Sequence, residues 1–566
     1  MMINYKNKSI ALCSMALALL TVLNACKKYN NPPQIFEEYG SGLNGQAERK
    51  VLIITIDGLA GAELQKVSPP NIGDLAKTSK YTYNVLTDAV SSDAATWASM
   101  LTGVSSAKHG IVNDSYIPVA DQGDPDAPTP IFPTFLSRLL DVRPEFKTVT
   151  ITTDAALNKY MIHADHRILP ANDAAVKDSA VNIVQNNSAK AILVDFRDVE
   201  AAGKAVGYSA DNAEYKTAIT KTDEYIGAIT TALKTRKNYA NEDWLVIVTT
   251  NRGGSDTNPK PGFIICSNPN LKQGEVTKSG FNTMHFTGTT TDAYVKNDNG
   301  LYDAGTNKDF TVQIQVKINS SSYYPCFFSK STGISGSTIT GWMILQSGTE
   351  YGVEFGGSAN GGHGKIQIGG NAIVDGKWHT ITITVKLSNG VRTATVYTDG
   401  IQIGSADITS TNNISTPNPL TIGYRPGDIA NAYADFYAGD VEYFNTALDG
   451  ATILANIGLK DITKHPNYGN LTGYWPIDDG GGAVISNLAP TGYNMLMKGP
   501  ATWDALGNDI PISRTPQNVV DGAVSIVATG PDVAGLTFYW LKVPVSSDWS
   551  LDGVGWLSNY ELEFIK

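Results

Sequence analysis

Residues 244–254 read Trp-Leu-Val-Ile-Val-Thr-Thr-Asn-Arg-Gly-Gly. The apolar run Leu245 to Thr250 has the pattern of a buried strand. It ends in a Gly-rich loop, the place where an open α/β sheet presents its chemical groups. A carboxylate closes a second apolar run in Ile54-Thr55-Ile56-Asp57-Gly58, and Asp93 and Glu200 stand in Ser91-Ser92-Asp93-Ala94 and Asp198-Val199-Glu200-Ala201. Carboxylates collected at strand ends can hold a divalent metal or pair with buried cations. Each also has a plainer reading, and for Asp57 that is a turn or helix cap. His163-Ala164-Asp165-His166 is the other His/Asp cluster. Its loose spacing reads as a solvated loop rather than a metal site.

Strands alternating with helices must position these groups. Val51–Ile56, Thr148–Thr152, Ala191–Val194 and Leu245–Thr249 are continuous apolar runs, separated by helical stretches such as Tyr215–Leu233. Runs of that kind belong to a mostly parallel sheet covered on both faces. The rhythm stops near Lys278. From Met284 to about Leu459 come short alternating segments (Phe310-Thr-Val-Gln-Ile-Gln-Val, Thr380-Ile-Thr-Ile-Thr-Val, Thr393-Ala-Thr-Val-Tyr) with Asn-Gly, Asp-Gly and Gly-Gly turns between them, the composition of a β-sandwich. The chain of 566 residues exceeds one ordinary domain. Its formal net charge of −11 excludes a nucleic-acid partner of the usual basic kind.

The 244–254 run resembles the metal-site strand of the alkaline phosphatase superfamily, in its type I phosphodiesterase/nucleotide pyrophosphatase branch, which reads Thr-Thr/Ser-Asp-His-Gly-Gly there. Residues 284–459, through Asp309-Phe310-Thr311, Gly376-Lys377-Trp378-His379 and Tyr397-Thr398-Asp399-Gly400, resemble the laminin-G-like/concanavalin A-like jelly roll. Phe538-Tyr539-Trp540-Leu541, Val543-Pro544 and Leu551-Asp552-Gly553 resemble the closing segment of the phosphodiesterase domain. The implied fold is α/β, a mostly parallel sheet flanked by helices (alkaline phosphatase-like), with an inserted all-β jelly-roll sandwich. The domains are expected at 50–280, 281–509 (the insertion) and 510–566.

The resemblance also implies two zinc ions, an Asp/His ligand set and a Thr or Ser nucleophile. Asp57 matches a ligand position. The nucleophile position falls on Asp93, which carries no hydroxyl. Glu200 replaces a ligand aspartate and Lys204 a ligand histidine, while Asn251 and Arg252 replace the Asp-His pair. His109 matches a structural position. Lysine at neutral pH offers donors only and does not bind a metal without losing its proton. Lys204 and Arg252 are therefore expected as cations where metals would sit, facing Asp57, Asp93 and Glu200, with no cofactor required. The rival account is an all-oxygen site (Asp57, Asp93, Glu200, Asn251) for Mg²⁺ or Ca²⁺ rather than Zn²⁺.

Lys6 and Lys8, an apolar run from Ile10 to Leu23, and Leu23-Asn24-Ala25-Cys26 form an export signal of the bacterial lipoprotein type over 1–26. Cys26 would be lipidated, and Lys27 favours the outer membrane, with the chain facing the periplasm or the cell surface. Residues 27–49 read as a tether. Cys266 and Cys326 lie in apolar runs and are expected as buried thiols. In the β-module Trp342, Trp378, Tyr424 and Tyr433 are candidate sugar-stacking residues, with the core the better place for Trp378. Asp428 and Asp435 are candidate calcium ligands. The function these readings give is a lipid-anchored protein with a degenerate phosphodiesterase-like core and a lectin-like domain that binds glycan or an envelope protein. The alternatives are a divergent metal-dependent phosphoester or sulfoester hydrolase, or a structural subunit of a surface uptake complex.

Overall fold

The computed structural model describes residues 47–119, 131–278, 280–288, 291–332, 339–357, 365–423, 432–498, 503–515 and 525–564. The signal and Cys26, Tyr424 and Asp428 lie outside these residues.

Strands β1 (Glu48–Ile56), β2 (Ser79–Val85), β3 (Thr148–Ile151), β4 (His166–Ile168), β5 (Ala191–Phe196) and β6 (Glu242–Thr249) join β9 (Gly262–Ser267) and β10 (Gly274–Glu275) in one sheet. Its order is β10-β2-β9-β6-β1-β5-β3-β4. The run β6-β1-β5-β3-β4 is parallel throughout, and only β9 runs antiparallel to its neighbours β6 and β2. Between β6 and β9 a small hairpin pairs β7 (Gly253–Gly254) with β8 (Pro259–Lys260). β1 starts three residues before the expected Val51 and inside the stretch read as a tether, because Glu48 already pairs with Glu242.

Val51, Leu52, Ile53 and Ile54 are all fully buried, since both faces of β1 are covered. On one face Leu52 and Ile54 meet helices α2 (Asp173–Asn186) and α4 (Ala213–Lys234). On the other, Val51 and Ile53 meet α1 (Asp93–Thr102) and α5 (Asp532–Trp540). The segment from Ala528 onward therefore packs on the α/β core. Trp540 Nε1 donates to the Asp243 carbonyl at 3.1 Å, and Lys80 pairs with Glu563 at 2.6 Å.

The described strands from Phe281 to Gly507 form two eight-stranded antiparallel sheets packed face to face. Alternate residues Val312, Ile314 and Val316 point into the sandwich core, while Thr311, Gln313 and Gln315 face the other way. Asn389-Gly390 and Asp399-Gly400 close two hairpins with both residues at positive φ, the geometry that matches strand twist. Cys266 and Cys326 are free and buried.

The chain enters and leaves this module at one place, where the Ile526 amide donates to the Thr277 carbonyl at 3.3 Å. Residues 511–514 stay with the sandwich, later than the expected boundary at 509. Arg514 pairs at 3.0 Å with Asp440, a fully buried carboxylate that needs a cation. Because the ends meet, replacing 278–525 by a short Gly-Ser linker is expected to leave a folded core with a single cooperative thermal transition by circular dichroism. An aggregated or unfolded product would show that the core depends on the sandwich.

Candidate functional site

The site lies at the carboxyl ends of β1, β5 and β6. Asp57 follows β1, Asn251 and Arg252 follow β6, and Asp195 and Arg197 lie on and just beyond the end of β5. The parallel register sets Thr55 beside both Asp195 and Thr249, which brings the three strand ends together. Asp93 arrives on α1, whose N-cap Ser92 accepts from the Ala95 amide and which ends at Gly103 in the left-handed region. As the first helical residue, Asp93 gains from the positive end of the helix dipole. Gly58 at φ 74° lets the chain turn out of β1, and a β-carbon there would lie 2.1 Å from Glu200 Oε2. Its carbonyl accepts from the Gly254 amide at 3.1 Å, tying the β1 turn to the hairpin that carries Arg252.

Asp93 is bound on both oxygens. Oδ1 accepts from Asn251 Nδ2 at 2.7 Å and from Arg252 Nη1 at 3.0 Å, and Oδ2 from Arg197 Nη2 at 2.6 Å. Arg252 reaches Glu200 Oε1 at 2.6 Å with its other terminal nitrogen. Arg197 Nη1 lies 3.0 Å from Asp57 Oδ2, which also accepts from Trp97 Nε1 at 2.9 Å. Asp195 accepts from Thr55 Oγ1 at 3.1 Å and Thr152 Oγ1 at 2.7 Å.

Burial pushes the Asp93 carboxyl up, but Arg197 and Arg252 outweigh it and hold it below the ordinary value. Asp57 is fully buried, and burial together with repulsion from Asp195 raises it well above the carboxylate range despite Arg197. Burial lifts Asp195 to about 7, against the pull of Arg197 and Thr152. The cluster thus combines one ionised, doubly clamped aspartate with two that favour the neutral form.

The structure brings Asp57, Asp93, Glu200, Asn251 and Arg252 into one cluster. Lys204 stands differently from expectation. It pairs with Glu200 at 2.9 Å, but its side chain is 57% exposed and makes no ion pair with Asp57 or Asp93. Position 204 lies in the last turn of α3 (Asp198–Val206), on the solvent side of Glu200, so the lysine serves the rim. The second interior cation is Arg197, which the sequence reading passed over. The signal available was a basic residue three positions after the apolar run Ala191–Val194, at a strand end that must neighbour Asp57.

His109 is buried, with Nε2 2.9 Å from Ser99 Oγ and Nδ1 accepting the Ile111 amide, a structural arrangement. In the 163–166 cluster Asp165 instead pairs with Lys147 and accepts the Thr148 amide. Among the sugar-stacking candidates, Trp342 is fully buried in the sandwich core. Trp378 stays half-buried outside it, with Nε1 on Asp509, since residue 378 points away from the core. Tyr433 is 57% exposed. Asp435 binds His285 and Ser320.

The residues do not fit a pair of zinc ions. Two guanidinium groups stand between the carboxylates, no histidine among the described residues faces them, and each bound oxygen of Asp93 already accepts from a cation. The same arginines separate the oxygen donors that Mg²⁺ or Ca²⁺ would need to gather on one centre. Among the described residues no group of three His, Cys, Asp or Glu side chains is arranged to hold a metal.

Residues 51–130 match the type I phosphodiesterase / nucleotide pyrophosphatase family, and residues 288–454 match the concanavalin A-like lectin/glucanases superfamily. No curated protein sequence matches the chain. Solved structures similar to it include a 2-O GAG sulfatase, at 13% identity and TM-score 0.32 over 40% of this chain and 65% of that one. Murine ectonucleotide pyrophosphatase / phosphodiesterase 5 follows at 20% identity and TM-score 0.28, over 36% and 57%. The binding domain of Paraclostridial Mosquitocidal Protein 1 matches at 15% identity and TM-score 0.24, over 29% and 40%. The chain spans less than two thirds of the length of each of these three.

Proposed function

We propose that this chain, which joins a type I phosphodiesterase-type α/β core to a laminin-G-like, concanavalin A-like β-sandwich, is a lipid-anchored binding protein whose core has exchanged phosphoryl-transfer chemistry for an internal ion-pair cluster. The observation that supports this reading is the double clamp on Asp93. The residue at the nucleophile position has no hydroxyl, and both its oxygens are held by arginines at 2.6 and 3.0 Å. A carboxylate so held is a poor nucleophile, because its lone pairs are engaged and its charge is neutralised. In-line displacement on phosphorus needs an activated nucleophile and clustered cations free to face the transferring group. Here Arg197 and Arg252 spend their charge on the protein's own carboxylates. The anchor would be Cys26, placing the protein at the outer membrane, and the sandwich would present the surface that binds glycan or an envelope protein.

Hydrolysis of a chromogenic phosphodiester and of a chromogenic sulfate ester separates this reading from that of a divergent hydrolase. With Zn²⁺, Mg²⁺ or Ca²⁺ supplied, the purified chain is expected to turn over neither substrate faster than heat-denatured protein. Metal-dependent turnover lost in Asp57→Ala would establish the hydrolase instead.

A further inference from the structure

A cavity of about 780 Å³ opens on the sandwich, where the 298–309 segment meets the end of strand Ala434–Phe444 and residues 491–493. We propose that this cavity binds a neutral saccharide. The proposal rests on the reading that the sandwich takes glycan, and names the site and the class of sugar. The volume lies in the range of small-ligand sites.

The cavity's polar groups have capacity left over. Asn299 Nδ2 donates to the Tyr493 hydroxyl at 3.0 Å, which leaves the Asn299 carbonyl as an acceptor and the Tyr493 proton as a donor. Asn445 Oδ1 accepts from Asn470 at 3.0 Å, leaving its amide hydrogens. One Asp309 oxygen accepts the Leu387 amide at 2.8 Å, leaving the other. Free donors and free acceptors thus both line the wall. Sugar hydroxyls both donate and accept, and a sugar C–H face suits the half-buried Tyr493 ring. An apolar ligand would leave these groups unpaired.

The wall is fixed before anything binds. Arg392, almost wholly buried, donates to the carbonyls of Ala304, Gly305 and Lys308 at 3.0, 2.8 and 3.2 Å. Lys330, also buried, pairs with Asp298 at 2.7 Å and Asp303 at 3.3 Å. A preformed loop avoids the ordering cost of binding. The charges select the sugar. Asp298, Asp303, Asp309 and Lys308 line the cavity, with buried Lys330 and Arg392 behind the wall, so three carboxylates are balanced by three cations. A sulfated or uronate sugar finds no net positive charge there to replace its lost hydration, and a neutral one needs none.

The test uses the full chain on an array of neutral, amino, uronate and sulfated oligosaccharides, then calorimetry with the strongest binder. Binding to neutral sugars is expected. Asn299→Gly, which suits the φ of 49° at that position, and Tyr493→Phe are each expected to weaken it about five- to tenfold. Tyr433→Ala probes the rival exposed surface. If sugar binds but only Tyr433→Ala weakens it, the site is wrong while the glycan reading stands. Preference for sulfated or uronate sugars overturns the charge argument. Binding to no class of sugar overturns the glycan reading, and this proposal with it.

Discussion

Arg197→Ala is expected to cost about 3–5 kcal/mol of unfolding stability, the range for removing one partner of a buried ion pair. Arg197 touches Asp57 at 3.0 Å and Asp93 at 2.6 Å, with Asp154 at 3.5 Å and Asp195 at 3.8 Å. Asp57 and Asp195 are completely buried, so no solvent replaces the lost guanidinium there. Urea unfolding at pH 7 measures the loss. Asp93→Asn in the Arg197→Ala background is expected to restore part of it by removing the ionised carboxylate that Arg197 clamps, giving a non-additive double-mutant cycle. An Arg197→Ala protein as stable as the parent would show that the cluster does not hold the strand ends together. Arg252→Ala is the companion, since it strips a cation from Asp93 and buried Glu200.

Stability is expected to peak near pH 5 and to fall by several kcal/mol towards pH 9. Burial raises Asp195 to about 7, Asp532 to about 7 and Glu442 to about 8. In the window between the ordinary carboxylate values and these raised ones, the folded chain holds more protons than the unfolded one. Stability therefore declines as pH rises. The contribution is complete below about pH 4 and lost as each folded-state group ionises. For Asp195 alone, displacement to about 7 corresponds to on the order of 4 kcal/mol. Groups with lowered values, Asp93 among them, act in the opposite sense and are lost only in stronger acid. Asp195→Asn and Glu442→Gln should each flatten the fall between pH 5 and 9. A parent profile that rises over that interval would contradict the assignment of neutral buried carboxyls.

Much of the architecture was legible because it rests on local pattern. The runs Val51–Ile56 and Leu245–Thr249 could only be strands buried on both faces, and the alternating segments after Phe310 only a half-buried sheet. The replaced residues at the site were legible for the same reason: Asp93, Asn251 and Arg252 are identities at fixed distances from recognisable runs. Trp342 was left unranked and Trp378 was expected in the core, since a tryptophan in a strand belongs to the core or the outside according to register, and residue 378 takes the parity that faces away from the core.

The sequence by itself determined that histidines and a hydroxyl nucleophile are missing from a phosphodiesterase-type frame, and that cations must accompany its strand-end carboxylates. Only the tertiary structure decided which cations. Lys204 was, with Arg252, an expected partner by its position in the motif, yet it lies one helical turn beyond Glu200, in the last turn of α3, where its side chain reaches solvent. Arg197 has no motif to mark it. It becomes the central cation because parallel pairing sets Ile56 beside Phe196, so that the residues just beyond the two strands, Asp57 and Arg197, meet across the strand ends. Burial there removes the water that would otherwise solvate the aspartates, and that makes the guanidinium necessary.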